Sequence, residues 1–356
     1  MKSPALRAEG SAAGTMHAGA ARNNTIDWRM TMRAWRGIAA ASLLFALVGA
    51  AGITPAQDKW PSKPVRMIVP FTSGAASDVT GRIIAQRLAE IYGQQIVADN
   101  RPGAGGLIGS QLARDAAPDG YTIAMIGQPH LSNVLLRSDK PYDPLKDFDA
   151  IGLTALTPNV IVLGKGVEVK TIPELIALAK AKPGALNYGS AGIGSSSHLA
   201  GAMFVSKAQI NVVHVPFRQG ADSRTALITG TIHYYIYPLP AIVTLLKAGT
   251  LKALAVTSQK RASALPDLPT SAEAGFAEFV SVSWFGLIGP RGMSKRVIAK
   301  INADTLDVLA EPATRQKFEL QGAEPGSGTP EDFAKLQRDE YAELGALIKE
   351  IGMKAQ

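Results

Sequence analysis

The 356-residue chain contains no cysteine. That excludes disulfides, thiolate metal sites, a cysteine nucleophile and a lipid-modified cysteine, but leaves the compartment open. Aromatic residues make up only 6% of the chain, and no run of five lysines or arginines occurs. A nucleic-acid surface has no footprint here. The five histidines (His17, His130, His198, His214 and His233) show no H-x-x-x-H spacing, and no carboxylate pair stands out. Metal ligation and paired-carboxylate catalysis therefore lack a motif. The glycine-rich stretch Gly103-Ala104-Gly105-Gly106 has Ile108 where G-x-G-x-x-G needs glycine, and no G-x-x-x-x-G-K-[ST] is present. No nucleotide, and no other cofactor, is expected.

What is present is ordinary globular material, 46% hydrophobic and 19% charged, enough for two domains. The formal net charge of +8 is inflated by the first 56 residues, which carry six basic and two acidic side chains. The remainder holds 31 basic against 27 acidic residues, a mild positive balance compatible with a small anionic ligand. Arg33 and Arg36 precede an uncharged apolar stretch, residues 37–53, and Thr54-Pro55-Ala56 follows. Basic, apolar and small-residue regions in that order predict a secretory signal peptide cleaved after Ala56. The alternative, a membrane anchor, wants about 20 apolar residues. Residues 1–29 read as an upstream extension, with Met30 or Met32 as the conventional start. No adjacent Arg-Arg pair marks a twin-arginine route.

The stretch 65–82 organises the rest of the chain. Val65–Val69 is β-branched and apolar, the pattern of a buried strand, and Pro70 ends it. Phe71, Thr72, Ser73, Gly74, Ala75, Ala76, Ser77 and Asp78 form a loop of small residues, with Ser77 or Asp78 as helix N-cap. Val79, Ile83, Ile84, Leu88 and Ile91 then make an apolar helical stripe. A helix N-terminus behind such a loop offers N–H groups and partial positive charge to a carboxylate or phosphate. It is equally the pattern of a plain βα turn. Further strands are expected at residues 95–98 and 121–126. Strand–helix alternation predicts mainly parallel sheets, whose ligands bind beyond the strand C-termini. That places Gln128 and His130, in a loop at 127–133, within reach of a ligand.

Residues 150–163 read as extended and cross into a second lobe near Thr157-Pro158-Asn159. Thr171 opens a helix with a capping box to Glu174. A strand at 186–190 then leads into Ser190, Ala191, Gly192, Ile193, Gly194, Ser195, Ser196, Ser197 and His198, and on into a helix. This repeats the design of the opening stretch. Two anion-ready loops in successive lobes imply a ligand held between them. Residues 281–288 cross back, and two amphipathic helices, 294–309 and 330–351, return to the first lobe. The serines with His198 suggest a hydrolase, yet G-x-S-x-G fails at Tyr188 and no Ser-x-x-Lys follows Ser195 to Ser197. No catalytic residue is assigned.

Many ordered motifs carry a family likeness. They include Trp60-Pro61-Ser62-Lys63-Pro64, Val69-Pro70-Phe71, Asn100-Arg101-Pro102-Gly103-Ala104-Gly105-Gly106 and Ala117-Pro118-Asp119-Gly120-Tyr121. Asn187-Tyr188-Gly189-Ser190-Ala191-Gly192, His214-Val215-Pro216-Phe217 and Trp284-Phe285-Gly286 continue it. Together they resemble the Bug-type periplasmic receptors of tripartite tricarboxylate transporters. The resemblance implies an α/β, two-lobed Venus-flytrap fold of the type II periplasmic-binding-protein class. Lobe 1 is expected to comprise residues 57–157 and 283–356, and lobe 2 residues 158–282. It also implies a non-enzymatic, monomeric receptor that closes on a small carboxylate and serves membrane permease subunits. Presentation of ligand to a sensor kinase is the alternative binding role. By the same resemblance the loop 71–78 grips the ligand, the loop 190–198 faces it, and 127–133 contributes. Two departures stand out: Gly74-Ala75 replaces the usual Gly-Gly, and Tyr237 stands where the family often has an acidic residue. An aromatic or longer carboxylate, rather than an amino acid, is the expected ligand.

Overall fold

The computed structural model describes residues 60–353, Gln219 excepted; the expected leader lies outside the described residues. The first elements are β1 (Val65–Val69), α1 (Ala76–Tyr92), β2 (Ile96–Asn100), α2 (Leu107–Arg114), β3 (Thr122–Gly127) and α3 (Pro129–Leu135). The 16-residue strand β4 (Phe148–Leu163) leads into α4 (Ile172–Ala181), β5 (Asn187–Ser190), α5 (Ser196–Ala208) and β6 (Val213–Pro216). Next come α6 (Gly220–Thr229), β7 (Tyr234–Pro238), α7 (Val243–Lys247) and β8 (Lys252–Val256). β9 (Val282–Pro290) returns to α8 (Lys295–Ala310), α9 (Pro312–Leu320), β10 (Glu324–Pro325) and α10 (Pro330–Glu350).

The strands run in the order β2-β1-β3-β9-β4-β7-β5-β6, with β8 and β10 also on β4. β1 pairs in parallel with β2 and β3, and β5 with β6 and β7, as βα alternation requires. The centre departs from the expectation of mainly parallel sheets. β9 is antiparallel to β3 and β4, and β4 is antiparallel to β7 and β8. A chain that crosses to a second lobe and returns must run its two crossing strands in opposite directions.

β1 shows how the layers form. Val65, Met67 and Val69 pack under α1, while Ile68 faces the cluster around Leu107, Leu131 and Phe333. Alternate side chains of a strand point to opposite faces, so one strand feeds two apolar layers. Each fully buried side chain of this size contributes about 1.5–3 kcal/mol. Gly81 lets α1 approach the sheet closely: a Cβ there would stand 3.1 Å from Met67 Cε. The expected stripe of α1 ends early, because Ile91 is 44% exposed and Tyr92 takes the inward position before Gly93 terminates the helix at φ 63°. α9 and β10 had no sequence expectation, and the segment expected as a loop at 127–133 is mostly α3, begun by Pro129 at its first position.

The passage between lobes is a single residue wide on β4. Residues Phe148 to Pro158 pair with β9, and Asn159 to Leu163 with β7. At the switch, Asn159 is buried; its Nδ2 donates to Ser281 Oγ at 2.8 Å and its Oδ1 accepts from Ser283 Oγ at 2.9 Å. The Asn159 carbonyl accepts from the Thr257 N–H at 2.8 Å. Two segments, at Thr257 and at Ser281 to Ser283, are thereby tied to one residue of β4. Asn159→Leu leaves buried hydroxyls without a partner and is expected to cost roughly 1–3 kcal/mol in urea unfolding. A loss below about 0.5 kcal/mol would show that the crossing does not depend on this amide.

Candidate functional site

The N-termini of α1 and α5, one from each lobe, open onto one cavity of about 520 Å³, its mouth included. Its lining includes Phe71, Thr72, Ala75, Ala76 and Ser77 on the first lobe and Ala191, Ser195, Ser196 and Ser197 on the second. Tyr235, Tyr237, Pro238, Gly220 and Arg224 close one side, and Pro129, Ala241 and Phe285 complete the wall. Among the described residues no acidic side chain lines it, and Arg224 brings a formal positive charge.

The first loop is held from behind. Helix α1 begins at Ala76 with Ala75 as N-cap, not Ser77 or Asp78, and no side chain caps it. Asp78 instead turns back into the protein: Oδ2 accepts from Gly74 N–H at 2.9 Å, and Oδ1 from Arg82 Nε at 2.8 Å and Asn100 Nδ2 at 2.9 Å. Burial works to raise the Asp78 pKa, but these donors outweigh it and hold the group below the ordinary carboxylate value. The loop is thus preorganised, with Gly74 at φ 77°, where other residues are strained. Ser77 is 2% exposed, yet its Oγ and the Oγ1 of Thr72 are buried without a hydrogen-bond partner among the described residues. Unsatisfied buried hydroxyls are costly and uncommon, and they favour a polar ligand.

The second loop caps itself. Ser195 Oγ accepts from His198 N–H at 3.3 Å and donates to Gly192 O at 2.6 Å. Ser197 Oγ meets Tyr235 OH at 2.9 Å and accepts from Ala191 N–H at 3.1 Å. Tyr235 and Tyr237, two apart on β7, stack with ring centroids 3.5 Å apart, and Tyr237 OH is tied to Ser223 Oγ at 2.6 Å. Their rings form a flat aromatic wall.

Several sequence-predicted residues do not reach this cavity. Gln128 Nε2 donates to Glu340 Oε1 at 2.6 Å, toward α10. His130 is buried between Tyr142 and Phe148, with Nδ1 3.1 Å from Ser110 Oγ, and burial pushes its pKa down to about 3. Because α3 is a helix, residues expected on a loop are turned inward. Ser190 lies under the loop, its Oγ 2.7 Å from His214 Nε2. His198 stacks on His214 with centroids 4.0 Å apart, and its Nδ1 accepts from Gly194 N–H. Ser73 and Gly74 belong to the first loop but not to the lining, while Gly192 and Gly194 meet the other lobe at Gly105 and Asn133.

That meeting is close. Ser132 Oγ donates to Gly194 O at 2.6 Å, and a Cβ on Gly105 would stand 2.2 Å from Ile193 O. A second hollow of about 770 Å³ lies beside this contact. Its lining holds Arg137, already paired with Asp139, and Arg218, and none of the residues of the two small-residue helix starts at Ala76 and Ser196. Arg224, Tyr235, Pro238 and Phe285 are not among the expected site residues, although Phe285 lies in the motif Trp284-Phe285-Gly286. Arg224 reads as an ordinary residue of an expected helix, and only the tertiary fold brings it to the cavity.

The chain is similar to known proteins over most of its length. Residues 80–353 match the family described as tripartite tricarboxylate transporter family receptor. Protein BugT of Bordetella pertussis is 31% identical over 325 residues, covering 91% of this chain and 99% of that protein. The solved structure of Rpa4515 from R. palustris with adipate has a TM-score of 0.80 at 35% identity, over 82% of this chain and 98% of that one. MatC from Rhodopseudomonas palustris with bound malate has a TM-score of 0.77 at 28% identity, over 81% and 100%.

The stacked histidines give the fold a pH dependence. Burial lowers His198 to about 4; burial, then the neighbouring His198, lowers His214 to about 3. In the unfolded chain both titrate near 6.5. Between about pH 6.5 and 4 the unfolded state binds protons that the folded state does not, so stability falls as pH falls through that window. The melting temperature is expected to drop between pH 7 and 5. His214→Gln, which keeps a partner for Ser190, should shrink the drop; an equal drop in the variant would exclude this pair as its source.

Proposed function

The chain belongs to the tripartite tricarboxylate transporter receptor family, and from that premise we propose that it captures a small organic carboxylate between its lobes by hinge closure. The observation that carries this reading is the pairing of an uncapped helix N-terminus with the unpartnered hydroxyls of Ser77 and Thr72 in a cavity without acidic side chains. A ligand carboxylate there accepts from amides and hydroxyls at once, and the dipoles of α1 and α5 stabilise its charge from both lobes. A ligand that touches both lobes favours the closed state by the difference in its contacts.

The lobes are assigned as residues 57–157 with 283–356, and 158–282; the switch of pairing partner on β4 supports these bounds. The ligand is an aromatic or longer-chain carboxylate rather than an amino acid. Phe71, Phe285 and the stacked Tyr235 and Tyr237 supply apolar wall, and the lining holds no carboxylate to receive an ammonium group. The protein is exported by the leader ending at Ala56, acts as a monomer and delivers its ligand to membrane permease subunits. Among the described residues no helix is long and apolar enough to cross a membrane. The hydrolase alternative loses ground, because Ser195 Oγ caps α5, Ser197 Oγ is bonded to the Ala191 N–H and Tyr235 OH, and His198 Nδ1 is held by an amide.

A thermal-shift screen tests the reading, using citrate, tartrate, dicarboxylates, aspartate, glutamate, nicotinate, benzoate, phthalates and hydroxybenzoates. A ligand at 100 times its Kd adds about 2.7 kcal/mol to stability and raises Tm visibly. Tight binding of aspartate or glutamate would overturn the exclusion of amino acids; silence across the panel by folded, ligand-free protein would overturn the carboxylate reading. Closure has its own check. Ser132→Ala removes a hydrogen bond between the lobes, worth about 0.5–1.5 kcal/mol, and is expected to weaken binding roughly two- to tenfold. An unchanged Kd would place that contact outside the closing equilibrium.

A further inference from the structure

The guanidinium of Arg224 is not accounted for by capture of a single carboxylate. It sits on α6 of the second lobe, half-buried, and lines the cavity. It reaches across to the first lobe, since a Cβ on Gly74 would lie 3.8 Å from its Nη2. No carboxylate among the described residues pairs with it. What sets Arg224 apart is its place: Arg66, Arg82, Arg87, Arg101 and Arg114 each hold an acidic partner, and among the described residues Arg224 is the one arginine that lines this cavity. A cation in a part-closed site without a counter-ion is a place for an anion from outside.

The other pole of the cavity is the N-terminus of α5. The tyrosine wall runs between the two: Tyr235 OH is bonded to Ser197 on α5, and Tyr237 OH to Ser223, the neighbour of Arg224. The stacked rings offer a flat apolar face in this cavity, with their hydroxyls tied to Ser197 of α5 and to Ser223 of α6.

Resting on the carboxylate reading, we propose that Arg224 is a specificity-determining residue that pairs with a second anionic group, so that the receptor selects dianions whose charges are separated by an apolar or aromatic segment. A guanidinium matches a carboxylate with two parallel hydrogen bonds, which a lysine does not reproduce. Because Arg224 belongs to one lobe and lies against the Gly74 loop of the other, the second charge also draws the lobes together.

The test is isothermal titration of the purified protein with two matched pairs, adipate against hexanoate and phthalate against benzoate, on wild type, Arg224→Gln and Arg224→Lys. The wild type is expected to prefer the dianion of whichever pair binds by at least tenfold. Arg224→Gln should weaken the dianion tenfold or more and change the monoanion less than threefold; Arg224→Lys should recover part of the loss. The small monoanion effect shows that the variant is folded. Equal affinity for both members of a pair, or equal losses on both in Arg224→Gln, or no loss, would overturn the role of Arg224 while leaving carboxylate capture intact. Failure of all four probes to bind the wild type, together with silence across the wider carboxylate panel, would overturn both.

Discussion

Strand β4 is hydrogen-bonded into both lobes, to β9 up to Pro158 and to β7 from Asn159 onward. The relative placement of every group around the cavity depends on that continuity. A strand cannot change partners without leaving polar backbone to be satisfied at the switch, and the Asn159 amide with Ser281, Ser283 and Thr257 satisfies it. In the proposed closure, the few residues at this switch are where bending would concentrate, each lobe moving as a body.

Given that frame, the two loops differ in a way that suits their work. The second closes on its own helix through Ser195, whereas the first leaves α1 uncapped and spends its one carboxylate, Asp78, holding the loop from behind. Under the proposed reading a ligand carboxylate would complete the α1 terminus, so that binding satisfies what folding left open. The preorganised loop loses little further entropy on binding, which favours affinity.

The far wall decides what else the ligand must be. Tyrosines at 235 and 237 share a face because strand side chains alternate, and among the described residues the cavity they wall holds no carboxylate to pair with an ammonium group. Buried histidines beneath the second loop keep that region neutral at ordinary pH, so its positive character comes from amides and Arg224 rather than imidazolium.

Much of this was written in local sequence. The β1–α1 and β5–α5 units, their small-residue loops, the crossing near Asn159 and the two-lobed class come from periodicity, turn chemistry and ordered motifs, which act over a few residues. Positions such as Ser77 and Ser196 could be placed near the cavity because they sit at helix starts. Side-chain direction could not be read in that way. Gln128 and His130 lie at a strand end, where ligands gather, but α3 turns them toward Glu340 and an aromatic core. Arg224 lies in an unremarkable helix and reaches the cavity only because α6 packs beside β7 and across from the Gly74 loop. The sequence alone determined that two helix termini would be available to an anion. Tertiary structure decided that they share one cavity, and that an arginine and two stacked tyrosines shape it, because those contacts join segments about 150 residues apart.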